Sequence, residues 1–218
     1  MSTEDRVIWV VRDAEREDNI NDAWQSLPNA EGLSSDNSNL SSRGREQAGQ
    51  CAARFRDIRL DHVIASPFDR TIETASIIAA HKNVLIKPEP GLCEVLCECE
   101  NPPGFWENDR LKGKYPLVDV DYEPCYKKKT LPVEKYGDHA CVARLRNTLR
   151  FITENYNGDI LLVSHAAPIA AIHEICGYSF TYVGQATVSK FTETEDRIRL
   201  DYSDDSSHLS DQTNLRPY

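Results

Sequence analysis

Four basic side chains stand just beyond apolar runs. Arg12 and Arg16 follow Val7-Ile8-Trp9-Val10-Val11, Arg70 lies one turn past His62-Val63-Ile64-Ala65-Ser66-Pro67, and His165 follows Ile160-Leu161-Leu162-Val163-Ser164. Three guanidiniums make a suitable cradle for a phosphoryl group, because each offers planar, charge-assisted donors matched to its oxygens. His165 adds a group able to stabilise charge on a transferring group. Glu94, past a third apolar run at Val84-Leu85-Ile86, is a candidate acid for a leaving oxygen. On residues 7–16 alone, a plainer reading makes Arg12 and Arg16 surface arginines after an edge strand.

The elements around these residues must bring them to one place. Val7–Val11 and Ile160–Val163 have no polar break, so each reads as a strand buried on both faces of a largely parallel sheet. Such strands deliver their next residues to the crevice at the carboxyl edge, where open α/β proteins bind ligands. Between them the pattern predicts a long loop over Asp18–Asn39, a helix from about Ser41 to Phe55 and a short strand over His62–Ala65. A helix over Thr71–Ala80 and a third strand over Val84–Ile86 follow. Residues 91–136 carry five prolines and no sustained period, as expected of an insertion with short helical pieces. Helices over Gly137–Asn155 and Pro168–Cys176 follow, with late strands near Thr181–Lys190 and Arg197–Tyr202. The polar residues 203–218 are expected to form a loosely ordered tail, and the chain is expected to be one domain.

The formal net charge of −10 argues against nucleic acid as a main partner, since phosphate neutralisation needs a basic face. Lys127-Lys128-Lys129 is the one basic run and reads as a solvated face. No apolar stretch reaches the roughly 20 residues needed to cross a bilayer. The polar start lacks the pattern of a signal peptide, and the expected location is cytoplasmic, with seven reduced cysteines. Cys93, Cys97 and Cys99 are spaced CxxxCxC, which fits no zinc signature well, so no metal is expected.

Several segments, taken in order, resemble the histidine phosphatase superfamily, also called phosphoglycerate mutase-like. Arg12-Asp13-Ala14-Glu15-Arg16 resembles its RHGER signature, and Leu40-Ser41-Ser42-Arg43-Gly44-Arg45-Glu46-Gln47-Ala48 its LSxxGxxQA helix. Ala65 to Ala75 is similar to its SSPxxRxxQTA segment, and Val163-Ser164-His165 to the VSH before its second histidine. Asp18, Trp24, Glu89-Pro90-Gly91-Leu92 and Val118 to Pro124 resemble the branch holding the suppressor of T-cell receptor signalling phosphatases and the insect ecdysteroid-phosphate phosphatase. The resemblance spans about residues 6–202. It implies an α/β three-layer sandwich with a mostly parallel central sheet flanked by helices. It also implies a phosphate pocket of Arg12, Arg16, Arg70 and His165, with Glu94 at the acid position, no cofactor, and a possible homodimer through the sheet edge.

The nucleophile departs from the pattern. In the family a histidine attacks phosphorus; here Asp13 stands in its place, Ala14 replaces a glycine, and Ala166 and Ala167 follow the second histidine. The expected role of Asp13 is an internal anion that pairs with Arg12, Arg70 or His165 and drives His165 toward its protonated form. Ala14 adds a Cβ where family backbones approach closely, so the loop is expected to shift. The resulting expectation is a pseudophosphatase that binds or scaffolds, with a phosphorylated ligand held weakly or a protein partner. Two alternatives stand beside it. One is a weak or specialised phosphomonoesterase using Asp13 or water as nucleophile and Glu94 as acid. The other is an inert pocket, with function on an exposed surface.

Overall fold

The computed structural model describes residues 5–217. Six strands form one sheet in the order β3-β2-β4-β1-β5-β6: β1 is Arg6–Arg12, β2 His62–Ala65, β3 Ile86–Pro88, β4 Ile160–Ser164, β5 Val188–Glu193 and β6 Ile198–Asp205. The first four pair in parallel, and β5 and β6 run antiparallel beyond β1. Val10 lies opposite Leu162, and Ile64 opposite Leu162 on the other flank, so β4 occupies the middle.

Period-two alternation divides the core between two faces. Trp9, Val11, Val63, Ala65, Leu161 and Val163 face one layer, built from α1 (Ser42–Phe55) and α2 (Asp69–Ala79). Ile8, Val10, Ile64, Ile160 and Leu162 face the other, built from α4 (Val142–Asn155) and α5 (Ala166–Ile175). The apolar runs lack a polar break because both of their faces are covered. A short α3 (Asn108–Lys114) and isolated turns make up most of residues 91–136, as the prolines predict.

Several boundaries differ from the sequence pattern: α4 starts at Val142, after a 3-10 turn over Asp138–Cys141, α2 starts at Asp69, and others shift for local reasons. The third strand starts at Ile86, where the main chain bonds to Leu117 and Asp119; Pro88 is tolerated because it ends an edge strand. β5 starts at Val188, because residues 183–187 form a turn closed by Thr187 N to Gly184 O, with Ala186 at φ 57°. α5 begins directly after His165, two residues before Pro168. The expected loose tail is corrected most. β6 runs to Asp205, Leu209 is buried, Gln50 and Ser210 exchange two hydrogen bonds, and Arg43 donates to the Thr213 carbonyl at 2.6 Å.

The loop that follows β3 is held from beneath by Arg144 of α4. Its guanidinium donates to the carbonyls of Gly91 and Cys93, each at 2.9 Å, and of Glu94 at 3.0 Å, and it pairs with Glu134 at 2.7 Å. Both partners are buried. Removing one charge of such a pair leaves the other desolvated and unpaired, at a cost of about 3 to 5 kcal/mol. Arg144→Met should therefore lower the urea unfolding free energy by roughly that amount, and adding Glu134→Gln should restore part of it.

Candidate functional site

The carboxyl ends of the four parallel strands converge on one cavity of about 770 Å3, whose walls include Arg12, Arg16, Arg70 and Glu94. Arg12 is the last residue of β1. Asp13 is fixed just beyond it, with its N–H donating to the Ser164 carbonyl at 2.9 Å and its own carbonyl accepting from Ala186 at 3.2 Å. The loop is then clamped onto α1. Ser41 N donates to the Glu15 carbonyl at 2.9 Å, while the Glu15 carboxylate accepts from Ser41 Oγ at 2.7 Å and Arg43 at 2.8 Å. Gly44 permits this approach, because a Cβ there would lie 2.1 Å from the Glu15 carbonyl oxygen.

Ala14 is packed into the core just beyond β1. Its methyl group is fully buried in the core beside α1 and α2, its backbone is not left-handed, and its N–H reaches Thr74 Oγ1 at 3.3 Å.

Arg70 enters from the first turn of α2. Asn37 of the long loop accepts from the Asp69 N–H at 2.7 Å, and the Asp36 carbonyl accepts from Arg70 Nη1 at 3.0 Å. The guanidinium carbon sits 4.6 Å from the centre of the Phe68 ring, and the His165 ring meets the same phenyl edge-on at 5.4 Å. The loop over Asp18–Asn39 thus positions the arginine rather than merely covering the site.

The carboxylate of Asp13 lies 3.5 Å from Arg70 Nε and 3.7 Å from His165 Nδ1, and all three side chains are buried. Neither separation is a hydrogen bond, and only that to Arg70 is an ion pair. Arg12 Nε, Arg70 Nε and His165 Nδ1 are all buried without a hydrogen-bond partner. Glu94 Oε2 stands 3.7 Å from His165 Nδ1 and 3.9 Å from Arg70 Nη2. Arg16 lies on the wall with its guanidinium doubly engaged by Asp18. Arg12 donates Nη1 to the carbonyls of Val183 and Arg216. Arg12, Arg16, Arg70 and Glu94 thus line one cavity, while Asp13 and His165 are buried beside Arg70 and Glu94, and Arg16 is already committed to a neighbour.

The expected protonation of His165 is reversed. Burial, reinforced by Arg70, Arg16 and Arg12, holds its pKa well below the ordinary histidine value. The ring is neutral near pH 7. Ser66 Oγ lies 2.8 Å from Nε2, and two carboxylates face Nδ1, so the tautomer with hydrogen on Nδ1 suits the site. Burial pushes the Glu94 carboxyl up from its usual range; Arg70 pulls it down and Asp13 pushes it up again.

Sequence reasoning missed Ser66 as the partner of His165, Arg144 beneath the Glu94 loop, and two pocket residues, Gln185 and Arg216. The Ser66-Pro67 motif carried a signal for the first. The others depend on contacts across the chain. Among the described residues, no group of three or more His, Cys, Asp or Glu side chains is placed to hold a metal ion. Nor is any helix among them long and apolar enough to cross a membrane.

The histidine phosphatase superfamily (branch 1) profile matches residues 8–205. The chain belongs to this superfamily. Phosphoserine phosphatase 1 of Hydrogenobacter thermophilus is 27% identical over 171 residues, 75% of this chain and 72% of that protein. Human ubiquitin-associated and SH3 domain-containing protein A is 30% identical over 121 residues, 51% of this chain but only 18% of that longer protein. Among solved structures, the ecdysone phosphate phosphatase of Bombyx mori, in complex with tungstate, has a TM-score of 0.67 at 18% identity, over 90% of this chain and 92% of that one. A histidine-to-alanine mutant of phosphoserine phosphatase from Entamoeba histolytica, in complex with phosphoserine, has a TM-score of 0.61 at 18% identity, over 94% and 99%. These neighbours share the α/β architecture of this chain.

The raised pKa of Glu94 fixes a sign. The folded state holds this proton more tightly than the unfolded chain, so the stabilisation is present below the unfolded value and fades as pH rises through the folded one. Glu94→Gln cannot ionise. In urea unfolding it should match the parent near pH 4 and exceed it at pH 8. A parent more stable than the variant at pH 8 would contradict this.

Proposed function

We propose that this chain is a pseudophosphatase: a histidine-phosphatase-fold protein that retains an oxyanion cradle, lacks the reacting nitrogen and acts by binding or scaffolding. The observation that carries the reading is the Asp13 carboxylate, buried at the nucleophile position of the signature and 3.5 Å from Arg70 Nε. A carboxylate charge there opposes a phosphate dianion by about 4 kcal/mol per unit charge at 4 Å, with an effective dielectric of about 20. Neighbouring arginines offset part of this, and even half, about 2 kcal/mol, weakens binding more than tenfold. Aspartate is also shorter than histidine, and a reacting atom misplaced by about 1 Å loses roughly 100-fold in rate.

Retained binding is supported by the unpartnered donors. Were Asp13 meant to close the pocket, a hydrogen-bonded pair with Arg70 would serve; instead Arg70 Nε, Arg12 Nε and His165 Nδ1 are left with unused capacity. Burial, with further lowering from Arg16, depresses the pKa of Arg70, which marks a guanidinium short of compensating charge. The complexes of related folds point the same way, one with tungstate and one with phosphoserine although a histidine has been replaced.

One observation favours a second reading. The raised pKa of Glu94 suits an acid that protonates a leaving oxygen. A slow phosphomonoesterase would then use Asp13 or water as nucleophile, and a covalent phosphoprotein lost in Asp13→Asn would support it.

The pseudophosphatase reading is tested with an aryl phosphate and with orthophosphate titration. The unmodified protein should show no turnover, and Asp13→His, alone or with Ala14→Gly, should bind orthophosphate or vanadate at least tenfold more tightly. Hydrolysis by the unmodified protein that Arg70→Ala abolishes would overturn it.

A further inference from the structure

The charges gathered around the cradle do not balance like those of a site for a doubly charged anion. Arg16 is closed by Asp18, which accepts from both Nε and Nη2. Arg70 has the Asp13 carboxylate at 3.5 Å from Nε and Glu94 at 3.9 Å from Nη2. Arg12 differs from both: among the described residues no carboxylate lies within 4 Å of it, and it is met by the carbonyls of Val183 and Arg216. Their titration follows the same division. Burial lowers the pKa of Arg16, but its bonds to Asp18 more than reverse the change and leave it raised. Burial lowers that of Arg12 too, and the more distant Asp13 and Glu94 do not restore it.

His165 is neutral, so the carboxylates of Asp13 and Asp18 stand against the guanidiniums of Arg12, Arg16 and Arg70. One positive charge is left over, on Arg12. Glu94 cancels that surplus whenever it ionises. The remaining wall of the cavity supplies no excess of cations, since Asp36, Glu98, Glu100 and Asp138 outnumber Arg216 there. Attraction between a site and an anion grows in proportion to the anion's charge, whereas the cost of taking the anion out of water grows with the square of that charge. A single unpaired guanidinium therefore offsets the desolvation of one negative charge far better than that of two. Asp13 sharpens the effect, because its carboxylate already occupies the side of Arg70 that a second ligand charge would need.

We infer that the cradle selects a singly charged tetrahedral oxyanion, the charge class of a sulfate monoester or a phosphodiester, over the doubly charged phosphomonoester. The substitution at residue 13 then changes the ligand as well as removing the nucleophile: the protein carries at Asp13 one of the two negative charges that a phosphomonoester would bring. The cavity, about 770 Å3, leaves room for an organic group on the ester oxygen. The inference rests on the anion-binding reading above and gives that anion its charge.

The test titrates phenyl sulfate, methyl phenyl phosphate and phenyl phosphate calorimetrically into the intact protein near pH 8, where a phosphomonoester, with a second pKa of about 6, is doubly charged. At least one of the two singly charged probes should bind more tightly than phenyl phosphate, and which of them does so tells a sulfate monoester from a phosphodiester. Asp13→Asn keeps the shape of the side chain and removes its charge. It should raise the affinity for phenyl phosphate, relative to the preferred singly charged probe, by about tenfold or more. Asp18→Asn, which frees the charge of Arg16, should move the ratio the same way. Phenyl phosphate bound by the unmodified protein as tightly as both other probes, or a ratio unchanged within twofold in both variants, overturns the inference and leaves the cradle standing. If the unmodified protein binds none of the three, the cradle reading fails and this inference with it.

Discussion

A carboxylate and two guanidiniums, Asp13, Arg12 and Arg70, are buried together at the carboxyl edge of the sheet, and the rest of the site is arranged around that constraint. Buried charges are tolerated only when others of opposite sign or strong dipoles stand near. Arg70 has Asp13 at 3.5 Å, the Asp36 carbonyl and the Phe68 ring; Arg12 has the carbonyls of Val183 and Arg216. The compensation is incomplete, since donors on both arginines remain unused. Burial first, and then these guanidiniums, hold the pKa of the neighbouring histidine below its ordinary value. An imidazolium would add a further positive charge to a place that already has too many.

The fold supplies the crevice through its parallel strands, and rigidity comes from polar clamps behind it. Glu15, Ser41 and Gly44 lock the first loop onto α1, Ser66 orients His165, and Arg144 ties down the segment that carries Glu94. Ser164 adds a bond from its hydroxyl to the Leu92 carbonyl at 2.7 Å, linking the β4 end to the same segment. Glu94, His165 and the arginines are therefore held by separate elements that meet only at the carboxyl edge. Any change at residue 13 is felt by all of them.

Much of this was legible in the sequence, and the limits have physical causes. Val7–Val11 and Ile160–Val163 declare themselves because burial on both faces removes every polar residue, and the placement of Arg12, Arg70 and His165 follows from where such strands end. Helix α1 was legible from Ser41, which caps it by accepting from Gly44 N at 2.9 Å. The protonation of His165 was not, since it depends on how far burial and the surrounding arginines outweigh two carboxylates at 3.7 Å. The order of residues 206–217 was hidden for another reason. Their anchors, Gln50, Arg43, Gln185 and Arg12, lie far away in the chain, and a polar composition reads as loose when its partners are unseen. Arg216 and Gln185 carry no local pattern that would mark them.

The central claim concerns what residue 13 does to an oxyanion in the cradle. The most direct measurement is a crystal structure of the unmodified protein grown with tungstate. The account predicts a tungstate ion in contact with Arg12 Nε, Arg70 Nε and His165 Nδ1, with no covalent bond to the protein and with Asp13 turned away from it. A bond from Asp13 to the metal centre, or an empty cradle closed by a hydrogen-bonded Asp13 and Arg70, would contradict it.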